Sequence, residues 1–285
     1  MRVTIIGIDG LDHDVVEELD LRNLKQRVHG RLAIPDECYR EIASGDRSPW
    51  TPLCWMTILT GALPPEEYRQ ARARSYRNPL VEGLKRRLGR SLAFMQGKRN
   101  LLQKVGIRQA RMGGRLSRGA VSKGMNTIFD LAERSMDFNV PTYSDTFSLK
   151  PLHDAHEERE LLRFVDEEHE LMERFVLSVL GRGAEYDLLM AYTRVLDHFG
   201  HQMYRTEAFY HRYRMMDLFI HELAPKVEGL LLIVSDHGFT GLEGTAHGGK
   251  HSDHATYSMN LPMDTPMNSL LDVYPLVERA LEAKG

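Results

Sequence analysis

The sequence contains very little cysteine and no long apolar run. Only two of its 285 residues are cysteines, Cys38 and Cys54, so neither a disulfide framework nor a cysteine-based zinc site is predicted. No apolar stretch approaches the roughly 20 residues that span a bilayer, and the apolar run at residues 2–8 is too short for a signal peptide. We therefore predict a cytoplasmic protein. Its 42% of hydrophobic residues is ordinary for a protein that folds around its own core.

Positive charge is concentrated in one segment. Residues 66–125 contain 16 Lys and Arg against 3 Glu, a net charge of +13, whereas the whole chain carries −3. We therefore predict a core formed by residues 1–65 and 126–285, with residues 66–125 as a basic insertion. Apolar residues recur among its cations at roughly helical spacing, which predicts helices, and we favour a helical cap over the core. Two alternatives stay open: a solvated insertion without a binding role, and a surface that docks an anionic membrane or a nucleic acid.

Apolar strands alternate with helices in the rest of the chain. Residues 2–8, 186–195 and 229–235 are predicted to form buried strands, and residues 52–60 a helix with Pro52 at its first position. This alternation predicts an α/β fold, with a mostly parallel sheet and helices on both faces.

Two further elements are predicted between these strands. Residues 126–145 follow a helix-then-strand pattern, and residues 155–180 form a long amphipathic helix. The apolar stripe of the long helix is predicted to comprise Leu161, Val165, Leu171, Phe175 and Val179.

Three aspartates follow predicted strands: Asp9, Asp197 and Asp236. A lone aspartate at a strand end is commonly a turn former or a helix cap. Ligands of an open parallel sheet, however, bind outside the carboxyl ends of its strands, so the three carboxylates are expected to meet there. Clustered carboxylates repel one another unless a cation is present, and mixed Asp and His ligands suit Zn²⁺, with Mn²⁺ as the alternative.

Five short motifs occur in an order that identifies a family resemblance. They are Ile8-Asp9-Gly10, the stretch from Thr51 to Thr60-Gly61, Asp197-His198-Phe199-Gly200-His201, Ser235-Asp236-His237-Gly238, and the histidine-rich stretch from His247 to His254. In these motifs the chain resembles the alkaline phosphatase superfamily, specifically its type I phosphodiesterase and nucleotide pyrophosphatase branch. The resemblance implies an alkaline-phosphatase-like core with two divalent metal ions.

The same resemblance implies roles for individual residues. One ion is held by Asp197, His201 and a late histidine, and the other by Asp9, Asp236 and His237. Thr51 bridges the two ions as the nucleophile; the family's nucleophile lies nine residues before the Thr of the Thr-Gly pair, which favours Thr51 over Ser48. Two ions about 4 Å apart stabilise both the attacking and the leaving oxygen of a phosphoryl displacement.

The late histidine has three candidates. In the family this ligand lies in a loop after the Asp-His pair and is followed by small and aromatic residues. His251 matches that pattern best, His247 second and His254 third. A departure from the family is Cys54, which stands where an Asn usually holds a phosphate oxygen.

The expected function is hydrolysis of a small-molecule phosphate ester through a phosphothreonine intermediate, by a phosphodiesterase or phosphatase. Two alternatives stay open. One is a phosphotransferase or mutase on the same core, in which an acceptor alcohol replaces water. The other is a polyanion-binding protein with a structural metal site.

Overall fold

The computed structural model describes residues 1–41, 46–69, 125–144 and 158–283. In chain order, the strands are β1 (Val3–Ile8), β2 (Val28–Ala33), β3 (Tyr39–Glu41), β4 (Arg47–Pro49), β5 (Ser135–Phe138), β6 (Leu188–Thr193), β7 (Leu230–Val234), β8 (Phe239–Gly241), β9 (Gly249–His251) and β10 (His254–Met259). The α-helices are α1 (His13–Glu18), α2 (Arg22–Lys25), α3 (Thr51–Thr60), α4 (Glu66–Arg69), α5 (Glu158–Gly181), α6 (Val195–Met203), α7 (Glu207–Leu223) and α8 (Val273–Glu282). Short 3-10 turns occupy Asp36–Cys38, Ile128–Leu131, Ala224–Lys226 and Leu270–Asp272.

Six of these strands form the main sheet, in the spatial order β2-β10-β7-β1-β6-β5. The pairs β1–β6, β1–β7 and β5–β6 are parallel, whereas β10 runs antiparallel to both β2 and β7. The prediction of a mostly parallel sheet is therefore confirmed, with β10 as the one reversed strand of the six.

Helices cover both faces of this sheet, as predicted. Along β1, Val3 and Ile5 belong to the core that includes α3 and α8. Ile6 and Ile8 belong to the core that includes α1, α2, α5, α6 and α7. Because successive side chains of a strand point to opposite faces, a strand buried on both sides must be apolar throughout. That requirement explains why β1, β6 and β7 were recognisable as near-continuous apolar runs.

The helix that begins with Thr51 matches its prediction closely. It runs to Thr60, one residue longer at its start than predicted, with Pro52 at its second position. Its last turn ends at Gly61, whose left-handed φ of 62° places its N–H on the carbonyl of Thr57. The bounds of this helix were thus readable from the sequence to within one residue.

Residues 126–145 give a 3-10 turn at Ile128–Leu131 followed by β5, so the predicted order of helix and strand is confirmed. The described part of the basic insertion is limited to its two ends, including α4, and its predicted helical cap lies outside the described residues. Among the described residues, no helix combines the length and the apolarity needed to cross a membrane.

The apolar stripe predicted for the long helix was partly wrong. Val165 is buried as predicted, but Leu171 is 45% exposed. The buried positions of α5 are instead Leu162, Val165, Met172 and Val176, together with two polar residues, Glu168 and His169. Two adjacent faces of this helix both carry apolar residues. Only the packing against α6 and β6 decides which of the two faces is buried.

This correction gives a paired stability test. Met172→Ala is expected to lower the free energy of unfolding by about 2–5 kcal/mol, because it leaves a cavity in the core. Leu171→Ala, one position away, is expected to change it by about 0.5 kcal/mol or less, because the side chain is largely exposed. Urea denaturation followed by circular dichroism measures both. Equal losses, or a larger loss at Leu171, would contradict the observed orientation of the helix.

Candidate metal centre and nucleophile

The candidate site lies at the carboxyl ends of the central strands. Asp9 directly follows β1, and Asp236 follows the neighbouring strand β7 after one serine. Thr51 is the first residue of α3, and its Oγ1 lies 3.2 Å from Nε2 of His237. These residues are distant in the chain, and the sheet order brings them together.

Asp197 reaches the same place by a different route from the one predicted. Strand β6 ends at Thr193, which is short of the predicted strand at 186–195, and Asp197 lies in the first turn of α6. The four-residue spacing then places His201 one turn further along the same helical face. Its Nε2 lies 3.3 Å from Oδ1 of Asp197.

Nε2 of His237 is the centre of a first group of atoms. It lies 3.2 Å from Oδ1 of Asp9, 3.4 Å from Oδ2 of Asp236 and 4.0 Å from Oδ1 of Asp197. His237 and Asp236 are fully buried, and Asp9 is 2% exposed. Asp9 and Asp236 therefore face the imidazole away from bulk water, whereas the side chain of Asp197 is 16% exposed.

A second group surrounds Nε2 of His251. This atom lies 2.9 Å from Nε2 of His201 and 3.4 Å from Oδ1 of Asp197. The ring of His251 also stacks on the ring of His237, with centroids 3.5 Å apart. Asp197 and this stacking join the two groups into one cluster, which we call the acceptor cluster: Asp9, Asp197, His201, Asp236, His237 and His251.

Each of the three histidines directs Nδ1 at a backbone carbonyl. The Nδ1-to-oxygen pairs are His201 with Gly249 at 3.1 Å, His251 with Pro49 at 2.9 Å and His237 with Gly238 at 3.2 Å. A carbonyl can only accept, so these contacts place a ring proton on Nδ1, and Nε2 then carries the lone pair of each imidazole in its neutral form. An imidazole held in this way by a backbone carbonyl is the usual arrangement around a bound metal ion.

Four carboxylate oxygens of the acceptor cluster have no hydrogen-bond partner among the described residues: Oδ1 of Asp9, Oδ1 of Asp197, and both oxygens of Asp236. A buried acceptor without a donor is costly, and here several converge with imidazole lone pairs. A divalent cation would satisfy all of them, and Asp and His are the donors that Zn²⁺ takes. The residues present therefore fit divalent metal ions.

The acidities of the cluster also depend on its charges. Burial and the charge of Asp197 raise the pKa of Asp9 to about 7, and burial and the charge of Asp9 raise the pKa of Asp236 well above its usual value. Burial acts on Asp197 in the same direction, but His201 and His251 outweigh it and hold the pKa of Asp197 well below its usual range. Protons thus compensate the cluster when no cation does, and cation binding would displace them.

Of the three late histidines, the structure brings His251 into the acceptor cluster. His247 is exposed. His254 lies at the start of β10, in a separate group with Asp12 and Asp14. Arg31 is paired with Asp14 there and already supplies the positive charge of that group. The first choice from the sequence, His251, is thus the late histidine that lies in the acceptor cluster, and its role as a metal ligand stays a prediction.

Two kinds of contact at the cluster were missed by the sequence reasoning. Tyr192, which is 5% exposed, donates a hydrogen bond to Oδ2 of Asp9. A phenol in the buried strand β6 was the available signal, because a buried hydroxyl needs a partner. The carbonyls of Pro49 and Gly249 orient two histidines. These contacts could not be predicted from residue type, because every residue has a backbone carbonyl.

Cys54 lies in the core and is fully buried, together with Cys38. Burial and the adjacent thiol of Cys38 raise the pKa of Cys54 well above its usual value, so the thiol stays neutral. Cys54 is itself a residue of α3 and belongs to the hydrophobic core that α3 shares with α8.

The fold and the site together define an α/β protein with a buried Asp and His centre at the carboxyl ends of a mostly parallel sheet. A comparison with protein families matches residues 102–275 to "Type I phosphodiesterase / nucleotide pyrophosphatase". This match covers more than half of the chain, and the chain belongs to that family. Asp9 and Thr51 lie before the matched region. No curated protein matches the sequence.

The chain is also distantly similar to several solved structures. Murine ectonucleotide pyrophosphatase / phosphodiesterase 5 is 13% identical, with a TM-score of 0.44 over 86% of this chain and 59% of that protein. An inactive threonine-to-alanine variant of the murine protein in complex with AMP is 12% identical, with a TM-score of 0.44 over 86% of this chain and 59% of that protein. A putative sulfatase from Bacteroides thetaiotaomicron is 10% identical, with a TM-score of 0.47 over 100% of this chain and 71% of that protein. The chain spans about three fifths of the length of the murine enzyme.

Proposed function

We propose that this protein is a metal-dependent phosphoester hydrolase of the phosphodiesterase or nucleotide pyrophosphatase type. The observation that carries the proposal is the contact of Oγ1 of Thr51 with Nε2 of His237, inside a cluster whose remaining atoms are all acceptors. A hydroxyl at the edge of a cation site is the arrangement needed for nucleophilic attack on phosphorus. Family membership supports the same class of reaction.

The residues divide into two candidate ligand sets. Asp9, Asp236 and His237 would hold one divalent ion. Asp197, His201 and His251 would hold the other, with Asp197 close enough to reach both. When bound, two such ions would supply Lewis-acid stabilisation of the attacking and leaving oxygens. We propose Zn²⁺ as the resident metal, with Mn²⁺ as the alternative, because imidazole and carboxylate donors are mixed.

The chain itself positions the nucleophile. Thr51 starts α3, and the preceding Trp50 makes no side-chain cap, so the positive end of the helix dipole faces the site without a competing group of its own. Oγ1 attacks phosphorus while the bond from phosphorus to the leaving oxygen breaks; the hydroxyl proton is passed to the leaving oxygen, which departs as an alcohol, and a phosphothreonine remains. Water then attacks that phosphorus and restores the Thr51 hydroxyl. The released product is phosphate from a monoester substrate and a phosphate monoester from a diester substrate.

A turnover screen tests this proposal. Nitrophenyl phosphate monoesters and diesters are incubated with protein supplied with Zn²⁺ or Mn²⁺, and with protein treated with a chelator. We expect metal-dependent release of nitrophenol from at least one class of ester, abolished by chelation. A metal-loaded protein that releases none from any ester would contradict hydrolysis. Release that rises when an alcohol acceptor is added would indicate a phosphotransferase on the same core.

We also propose that residues 66–125 cover this site and attract an anionic substrate, with their net charge of +13 in support. Long-range attraction weakens as salt shortens the Debye length from about 30 Å at 0.01 M to about 8 Å at 0.15 M. The same screen at two ionic strengths therefore should show kcat/KM falling with salt for a highly charged monoester, and much less for a singly charged diester. Equal salt dependence for the two esters would contradict the cap. Residues 66–125 would then be either a solvated insertion or a docking surface separate from the site.

A further inference from the structure

Asp12 is a buried carboxylate that the proposed reaction does not use. It is 2% exposed, and it lies in the turn that follows the candidate ligand Asp9. Its Oδ1 accepts the backbone N–H groups of Asp14 at 2.8 Å and Val15 at 3.2 Å, and so caps α1. Its Oδ2 accepts the backbone N–H of Phe239 at 2.8 Å, 227 positions away. One carboxylate therefore joins the turn after β1 to the segment after β7.

The contact at the second oxygen is close. A Cβ on Gly238 would lie 2.3 Å from Oδ2 of Asp12, so only glycine fits between His237 and Phe239. The N–H of Gly238 lies 3.1 Å from Oγ of Ser252 and 2.9 Å from the carbonyl of His254. The backbone on the carboxyl side of His237 is thus held by Asp12 on one side and by the β9–β10 connection on the other.

Other buried hydroxyls hold the same turn. The phenol of Tyr213 accepts the N–H of Asp12 at 3.0 Å and donates to the carbonyl of Gly10 at 3.1 Å. Oγ of Ser235 donates to the carbonyl of Leu11 at 3.1 Å. The turn after β1 and the start of the Asp236 segment are therefore fixed relative to each other at several points, of which Asp12 alone is a carboxylate.

We propose that Asp12 is a positioning residue that fixes His237 and Asp236 relative to Asp9, and thereby sets the affinity of the ion these three would hold. The inference rests on the proposed function only in taking these residues as metal ligands. Asp12 is not itself proposed as a ligand, because both of its oxygens already accept backbone N–H groups. Without Oδ2, the buried N–H of Phe239 has to find another acceptor, and the segment carrying His237 shifts. Loss of a group that orients metal ligands weakens metal binding by about 10- to 100-fold.

Asp12→Ser separates the two tasks of the side chain. Serine is a good helix N-cap and retains the bonds to the first turn of α1. Its hydroxyl is one atom shorter, so it cannot also accept from Phe239. Asp12→Asn serves as the second variant if the serine variant fails to fold, because its carbonyl caps the helix while its amide cannot accept. Thr206→Ala is the matched control, since Thr206 caps α7 through the N–H of Phe209 and has no part in the acceptor cluster.

The measurement is zinc titration of the metal-free proteins in competition with a chromophoric chelator. We expect Asp12→Ser to raise one of the two zinc dissociation constants about 10- to 100-fold and to leave the other nearly unchanged. Thr206→Ala should bind zinc as the unaltered protein does. Unchanged zinc binding in Asp12→Ser, or equal weakening in the control, would overturn the inference. Unaltered protein that binds no zinc would overturn it together with the metal hypothesis, whereas protein that binds zinc but hydrolyses no ester would contradict only the proposed function.

Discussion

Thr51→Ala is expected to lower kcat/KM for a phosphate ester by about 10³-fold or more, with zinc content and melting temperature nearly unchanged. The hydroxyl lies 3.2 Å from Nε2 of His237, and alanine leaves no oxygen there to attack phosphorus. The helix itself does not depend on this side chain, because Thr51 is its first residue and its buried face begins at Leu53. Steady-state kinetics, elemental analysis and thermal denaturation of the same preparation measure the three quantities.

Ser48→Ala is the matched control for this variant. Ser48 lies in β4, three residues before Thr51, and its hydroxyl contacts the carbonyl of the adjacent Pro49 rather than the acceptor cluster. We expect its kcat/KM to stay within a few-fold of the unaltered protein. An inactive Ser48→Ala with an active Thr51→Ala would show that the nucleophile was placed in the wrong register.

Asp236→Ala is expected to remove at least one of two divalent ions per chain and to abolish metal-dependent hydrolysis. Both oxygens of Asp236 are buried without hydrogen-bond partners among the described residues, so binding a cation is the interaction that the structure leaves to them. Elemental analysis of protein never exposed to a chelator measures the ion content. Zinc should also raise the melting temperature of the unaltered protein more than that of the variant, because a ligand that binds the folded state stabilises it.

Asp253→Ala is the control for the loss of a carboxylate near the site. Asp253 is exposed, and its contact is with the phenol of Tyr39 rather than with the acceptor cluster. Its metal content should equal that of the unaltered protein. Absence of metal from the unaltered protein, or equal loss in both variants, would contradict the assignment of Asp236 as a ligand.

Local sequence patterns were sufficient for several elements. The strands β1 and β7 follow from continuous apolar runs, and α3 follows from Pro52 near its start and Gly61 after its end. These signals are local, because burial on both faces and helix capping act on neighbouring residues. Which face of α5 is buried could not be predicted from local sequence, because two faces of this helix carry apolar side chains. Leu171 was therefore assigned to the wrong face.

The acceptor cluster, too, could be predicted from the sequence only in part. Its residue types and their order along the chain were readable, and the family resemblance named Thr51 and five of its members, with three candidates for the sixth. Asp197 was expected at the end of a strand, whereas the chain turns into α6 before reaching it. Whether each member binds metal, and whether the protein is cytoplasmic, stay predictions.

The sequence by itself determined the fold class, the family, and the residues from which the site is built, because these depend on local periodicity and on the order of short motifs. Only the tertiary structure decided which late histidine reaches the cluster and how the three imidazoles are oriented. It also revealed the bond from Asp12 to the backbone of Phe239. The physical reason is that these contacts are made to backbone carbonyls and N–H groups far away in the chain. Every residue carries such groups, so residue type gives no sign of which of them will meet.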